Sequence, residues 1–216
     1  MRVARQGARS ARSAPSETGA LERPQLDWQP PRRSHRPQVA AIVADTGIFR
    51  PDEIDVALEV FDAYCDAPGQ DYSATAAFAG PDELAGFALY GPTPCTVDTW
   101  DLYWIAVHPR FQRAGIGRSL LERVEHHMRA SGARVCVIET SSRDDYAATR
   151  DFYLACGYQE VARVPGFYAE ADDRVTYARY FAGSLSLPKK NESREVRAKG
   201  QGEGCGSLLP LTSPNS

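Results

Sequence analysis

Leu102-Tyr-Trp-Ile-Ala-Val-His-Pro-Arg-Phe-Gln-Arg-Ala-Gly-Ile-Gly-Arg-Ser-Leu120 is the stretch that decides the fold. Leu102 to Val107 is almost continuously apolar, the pattern of a strand buried on both faces. Pro109 ends it. Beyond Gly115 and Gly117 the period changes, and Ile116, Leu120, Leu121, Val124 and Met128 recur on one helical face. The order is strand, loop, helix, with glycines where the helix begins. The first N–H groups of a helix have no internal acceptor and sit at the positive end of its dipole. Glycine lets an anion approach that backbone closely. The turn therefore reads as a phosphate-binding turn.

Two phosphate motifs are excluded by the residues that stand at their key positions. A dinucleotide-binding loop needs a third glycine where Leu120 stands, and a P-loop needs Gly at 112 and Lys at 118, where Gln112 and Arg118 stand. What remains is Gln112-x-x-Gly115-x-Gly117. With the strand before it and the helix after it, this string resembles the acyl-CoA pyrophosphate loop of the GNAT superfamily of N-acyltransferases. Asp151-Phe-Tyr153-x-x-x-Gly-Tyr158 is similar to a second signature of that superfamily, a helix and turn with Phe-Tyr and Gly-Phe/Tyr.

The resemblance implies an α/β fold of the α+β kind. Its central sheet is mixed, mostly antiparallel, splayed between the fourth and fifth strands and flanked by helices. It implies acetyl-CoA as co-substrate and no metal. Backbone groups of Ile105, Ala106 and Val107 would hold the pantetheine, and those of Arg113, Ala114, Gly115, Ile116, Gly117 and Arg118 the pyrophosphate. The side chains of Arg113 and Arg118 either add charge there or are plain surface arginines. Tyr153 would lie beside the CoA sulfur and donate a proton to it. Seven residues earlier the family usually carries Asn, and here Tyr146 stands there. The acceptor would be a small-molecule amine or a protein N-terminus, with neither nucleic acid nor membrane as partner. A homodimer is left open. The rival reading is a non-catalytic acyl-CoA-binding sensor or regulatory module.

The remaining segments fall into order around the two signatures. Gln38 to Val43 reads as a first strand, and a helix opens after Pro51 with Ile54, Ala57, Leu58, Phe61 and Cys65 on one face. That leaves one clear helix in a connection where many members of the superfamily have two. Tyr72 to Ala79 and Glu83 to Tyr90 form a hairpin across Gly80-Pro81-Asp82. Gly132 caps the long helix. Arg134 to Thr140 is a β-branched, apolar strand, Tyr146 to Cys156 a helix stopped by Gly157, and Glu160 to Arg163 with Val175 to Phe181 a last pair of strands.

Glu139 is the candidate general base. Its strand is otherwise apolar, and burial raises a carboxyl pKa toward a useful value. The alternative is a strand-end Glu facing solvent or paired with an arginine. Trp100, Tyr103 and Trp104, with Asp101, form either an acceptor pocket for a cationic amine or part of the core.

The chain has 216 residues and a formal charge of −3, which advertises no nucleic-acid partner. No apolar run approaches the roughly 18 residues of a membrane span. The five cysteines are scattered and odd in number, which fits a reducing, cytoplasmic setting. Residues 1–37 lack apolar periodicity and read as a disordered leader. Arg2, Arg5, Arg9 and Arg12 precede the first acidic residue, Glu17, an arrangement also like that of a mitochondrial transit peptide. Residues 38–182 are the expected domain and 183–216 the expected tail.

Overall fold

The computed structural model describes residues 25–181. Most of the expected leader, 1–24, and the expected tail, 183–216, lie outside the described residues.

Seven strands form one sheet in the order β1-β2-β3-β4-β5-β7-β6. They are β1 (Asp27–Gln29), β2 (Ser73–Gly80), β3 (Glu83–Pro92), β4 (Thr99–Val107), β5 (Val135–Ser141), β6 (Gln159–Ala169) and β7 (Asp172–Tyr180). All neighbours pair antiparallel except β4 and β5. Those two run parallel and pair only from Thr99 to Asp101 against Val135 to Val137. Beyond Asp101 they part, as the expected splay requires. A bulge drives the parting. Leu89 faces Trp104 and Tyr90 faces Leu102, so Tyr103 is the extra residue that bends β4.

Helices cover both faces. α3 (Ile116–Ala130) and α4 (Ala147–Ala155) lie on one, where Leu121, Val124 and Met128 join Ile138, Tyr153 and Tyr177 in a core. α1 (Arg36–Asp45) and α2 (Pro51–Asp66) lie on the other, packing Val39, Ile42 and Phe61 on Phe87 and Leu89. All five residues of the expected α3 face are buried.

The first strand differs from expectation. Gln38 to Val43 is not a strand but part of α1. Its buried residues, Val39, Ile42 and Val43, stand at i, i+3 and i+4, a helical face that six contiguous apolar and polar residues disguise. Pro37 sits in the first turn, where proline costs nothing. The actual first strand, β1, falls inside the expected leader. It is three residues long, too short for any periodicity, and is held by pairing with β2 and by the Arg123 guanidinium 4.2 Å over the Trp28 ring. The first connection therefore has two helices, not one.

Glycine caps end both α3 and α4. After α3, Ala133 N–H donates to the Met128 carbonyl (2.9 Å) and Gly132 N–H to that of Arg129 (3.0 Å). After α4, Tyr158 N–H donates to Tyr153 (3.1 Å) and Gly157 N–H to Leu154 (3.0 Å). Both are Schellman motifs, with the glycine at φ of +85° in each case. The second explains the spacing Tyr153-x-x-x-Gly-Tyr158. The motif locks the backbone of Tyr153 to that of Tyr158, and their rings lie 6.0 Å apart.

Candidate active site

The gap opened between β4 and β5 is the candidate site. His108 N–H donates back to Ala85 on β3 (2.9 Å). By strand alternation the backbone of Ala106 also faces β3, and that of Ile105 and Val107 faces the gap. Past Asp101 no strand among the described residues pairs with that edge. Ala106 also borders the cleft, with its side chain in the core beneath α1 and α2. Gln112 takes up one of the free groups, its side-chain amide donating to the Val107 carbonyl (3.1 Å). That bond is a physical reason for a glutamine at this place in the loop.

The glycine turn lies at the outer end of the same edge. Gly115 is the N-cap of α3 at φ of +84°, and Arg113 is also left-handed at +63°. Gly117 needs no special φ. A Cβ there would meet only Phe152 and Val107 at 3.8 Å, ordinary contact. Nothing inside the protein forbids a side chain at 117, so the space it leaves is cleft, lined also by Arg118 and Phe152 in a cavity of about 570 Å³. The first amides of a helix have no internal acceptors, and the first residues of α3, Ile116, Gly117 and Arg118, line this cavity. A phosphate fits this cradle.

Tyr153 lines the inner end of that cavity and the next one, of about 310 Å³, which it shares with Ile105, Glu139, Tyr146 and Thr149. It is 5% exposed. Burial pushes its phenol well above the ordinary value, so it stays protonated throughout the neutral range. Tyr146 is buried too and pushed up for the same reason. It packs edge-on against Phe49 (6.3 Å). Arg143 lies over the Tyr146 ring (5.1 Å) and donates to the Ile48 carbonyl (2.8 Å). These contacts fix the α1–α2 loop across the gap.

Glu139 reaches the gap but is not buried. It is 44% exposed and pairs with Arg174 at 3.4 Å. Glu139 is paired with Thr176 on β7 like its neighbours. By strand alternation, however, its side chain is on the face opposite the core residues Cys136 and Ile138, where it borders the cavities instead of a packed helix. The expectation of a buried carboxyl at this position is thus corrected.

Beyond Glu139 the gap widens into a cavity of about 680 Å³, lined by Asp101, Tyr103, Trp104, Phe49 and Tyr168, with Asp52 and Glu53 at its rim. Trp100 is not among them. One residue before Asp101, it turns to the α3 face and packs on Tyr90 (6.4 Å) and His127 (6.0 Å). Sequence reasoning missed Phe49, Tyr168 and Arg174. The two acidic residues after Pro51 were legible only as a helix start.

The acetyltransferase (GNAT) family profile matches residues 42–158, and the chain belongs to that family. It is 32% identical over 92 residues to the ribosomal protein bS18-alanine N-acetyltransferase of Escherichia coli K12, a match covering 43% of this chain and 59% of that protein. The chain thus spans under two thirds of the length of the curated relatives it matches. Among solved structures, a GNAT-family protein from Desulfovibrio desulfuricans superposes with a TM-score of 0.69 at 38% identity, over 72% of this chain and 98% of the other. The yncA protein of Salmonella typhimurium, solved with its cofactor acetyl-CoA, shares the fold with a TM-score of 0.58 at 17% identity, over 76% and 98%.

Proposed function

We propose that this chain is an N-acetyltransferase that moves the acetyl group of acetyl-CoA directly to an amine, with no covalent enzyme intermediate. The observation that carries the reading is the alignment along one gap of four features: the glycine turn, the open backbone edge at Ile105 and Val107, Tyr153, and Glu139. Amides of Arg113 to Arg118 would hold the pyrophosphate, and the open edge would hold an extended pantetheine by strand-like hydrogen bonds.

A protonated amine cannot attack a carbonyl. Glu139 takes the proton, directly or through a water. The amine nitrogen bonds to the acetyl carbonyl carbon, the carbon–sulfur bond breaks, and Tyr153 gives its phenolic proton to the departing sulfur. The nitrogen sheds a second proton as the carbon–nitrogen bond forms, again to Glu139 or its water. Solvent removes each proton from Glu139 in turn and returns one to Tyr153, so one proton is released per acetyl group transferred.

The acceptor is either a small amine or a protein N-terminus, the latter being what the bS18-alanine relatives act on. The carboxylates around the wide cavity favour a cationic acceptor. A cytoplasmic setting belongs to the same proposal. Cys65, Cys95, Cys136 and Cys156 are free thiols, which a reducing compartment preserves. The test is thiol release from acetyl-CoA across amines and N-terminal peptides, with the product weighed by mass spectrometry. Acetylated amine in equal amount with free CoA supports the reading, and binding of acetyl-CoA without transfer to any acceptor refutes it.

A further inference from the structure

Asp101 lines the wide cavity proposed for the acceptor and is the last residue at which β4 and β5 are still paired. It is half-buried, and one oxygen accepts from the Thr93 hydroxyl at 2.7 Å. No cation pairs with it among the described residues. The arginines that line or approach the cavity are committed elsewhere, Arg50 to Asp52 and Glu53 and Arg174 to Glu139. A half-buried carboxylate with one hydrogen bond and no counter-charge is incompletely satisfied.

Its distance from the chemistry gives it meaning. Asp101 is four residues before Ile105 on β4, and with the bulge at Tyr103 that is roughly 10–13 Å along the strand. Glu139 lies between, two residues beyond Asp101's partner Val137 on β5. The reacting amine must lose its proton beside Glu139 and Tyr153. A carboxylate does the opposite and holds its amine protonated. Asp101 therefore does not serve the amine that reacts. Between the two positions the walls are Tyr103, Trp104 and Tyr168, flat faces that suit a hydrocarbon chain and attract a cation.

We propose, resting on the transferase reading above, that Asp101 is a specificity residue that binds a second ammonium group of the acceptor, making a linear diamine or polyamine the preferred small-molecule class. A monoamine of equal length fills the same walls and leaves Asp101 bare. A charge-assisted hydrogen bond at such a site corresponds to a preference of about tenfold to a hundredfold.

The experiment is calorimetric binding to the full-length, CoA-saturated protein of a ladder of linear diamines, each beside the monoamine of the same length. Acetylation rates are taken on the same compounds. The expected result is an optimum chain length at which the diamine binds about tenfold to a hundredfold tighter than its monoamine. Asp101→Asn should bring that diamine down to the monoamine level. Equal binding of diamine and monoamine at every length overturns the inference, and that comparison uses the parent protein alone, whatever the variant's folding. A gap that persists in Asp101→Asn overturns it too, as does an uncharged N-terminal peptide binding as tightly as the best diamine. Should the binding gap appear while no amine is acetylated, the transferase reading fails and Asp101's role as a diamine site stands. Should monoamines be acetylated as well as diamines and bind equally, the reverse holds.

Discussion

The division of proton work proposed for Tyr153 and Glu139 is testable from their environments. Tyr153→Phe removes the acid and leaves the ring packing on Tyr158 and Tyr177 intact. Turnover should fall by about 10²–10⁴-fold with acetyl-CoA affinity nearly unchanged. The sign of the Tyr153 shift adds a second check. Its folded-state pKa is raised, so the donor is still protonated at the ordinary phenol value near 10, and kcat should show no alkaline limb below it. A limb there would assign the acid elsewhere. Glu139→Gln should depress turnover at neutral pH and recover in part at high pH, where the amine is already neutral. If the low-pH side of the profile is unchanged, another group is the base. Tyr153 was legible because a cap motif surrounds it. Glu139 was legible as a position but not as an environment, since a run such as Val137-Ile-Glu-Thr140 does not reveal that the neighbouring strand has swung away. Trp100 and Asp101 are adjacent in sequence and on opposite faces, and the split between pocket and core passes between them.

Glycine substitutions separate elements built for packing from the one built for a ligand. At Gly91 a Cβ would lie 2.1 Å from the Asp71 carbonyl oxygen. Gly91→Ala should cost about 1–3 kcal/mol, read as a lowered melting temperature. Gly117→Glu should leave the melting temperature of the free protein nearly unchanged and abolish its rise with acetyl-CoA. A side chain there meets only ordinary contacts, while its charge occupies the phosphate position. At Gly157, φ of +85° makes Ala strained by about 1–2 kcal/mol. Gly132→Ala carries the same strain at the far cap, so the two should melt alike, but only Gly157→Ala should also lose turnover, because its cap fixes Tyr153. Equal loss of turnover in both would remove the cap from the mechanism. The turn, α3, the hairpin and the last helix were all readable because caps and periodicity coincide there. α1 was misread because its alanines fill the gaps between Val39, Ile42 and Val43 and hide the period.

At the scale of the whole molecule, the sheet places one edge of β4 against β3 and leaves the other open, and cofactor and acceptor would meet along that opening. The splayed mixed sheet was expected from the family resemblance, and the order of the elements followed from local signals. The place where the chain joins the sheet did not, because β1 is a three-residue edge strand whose stability comes from pairing across to β2. A protein of residues 25–181 should therefore melt cooperatively and bind CoA as the full chain does, whereas one beginning at 38 loses β1 and should melt lower. Identical melting of the two would deny β1 a structural role. The central claim is that the opening between β4 and β5 is where acetyl transfer occurs. The most direct measurement follows free thiol and acetylated amine together, from acetyl-CoA and an amine panel, for the parent and Gly117→Glu side by side. The account predicts equal amounts of both products from the parent and neither above background from the variant. Acetyl-CoA bound by the parent with no amine acetylated, or undiminished transfer by a folded Gly117→Glu, would contradict it.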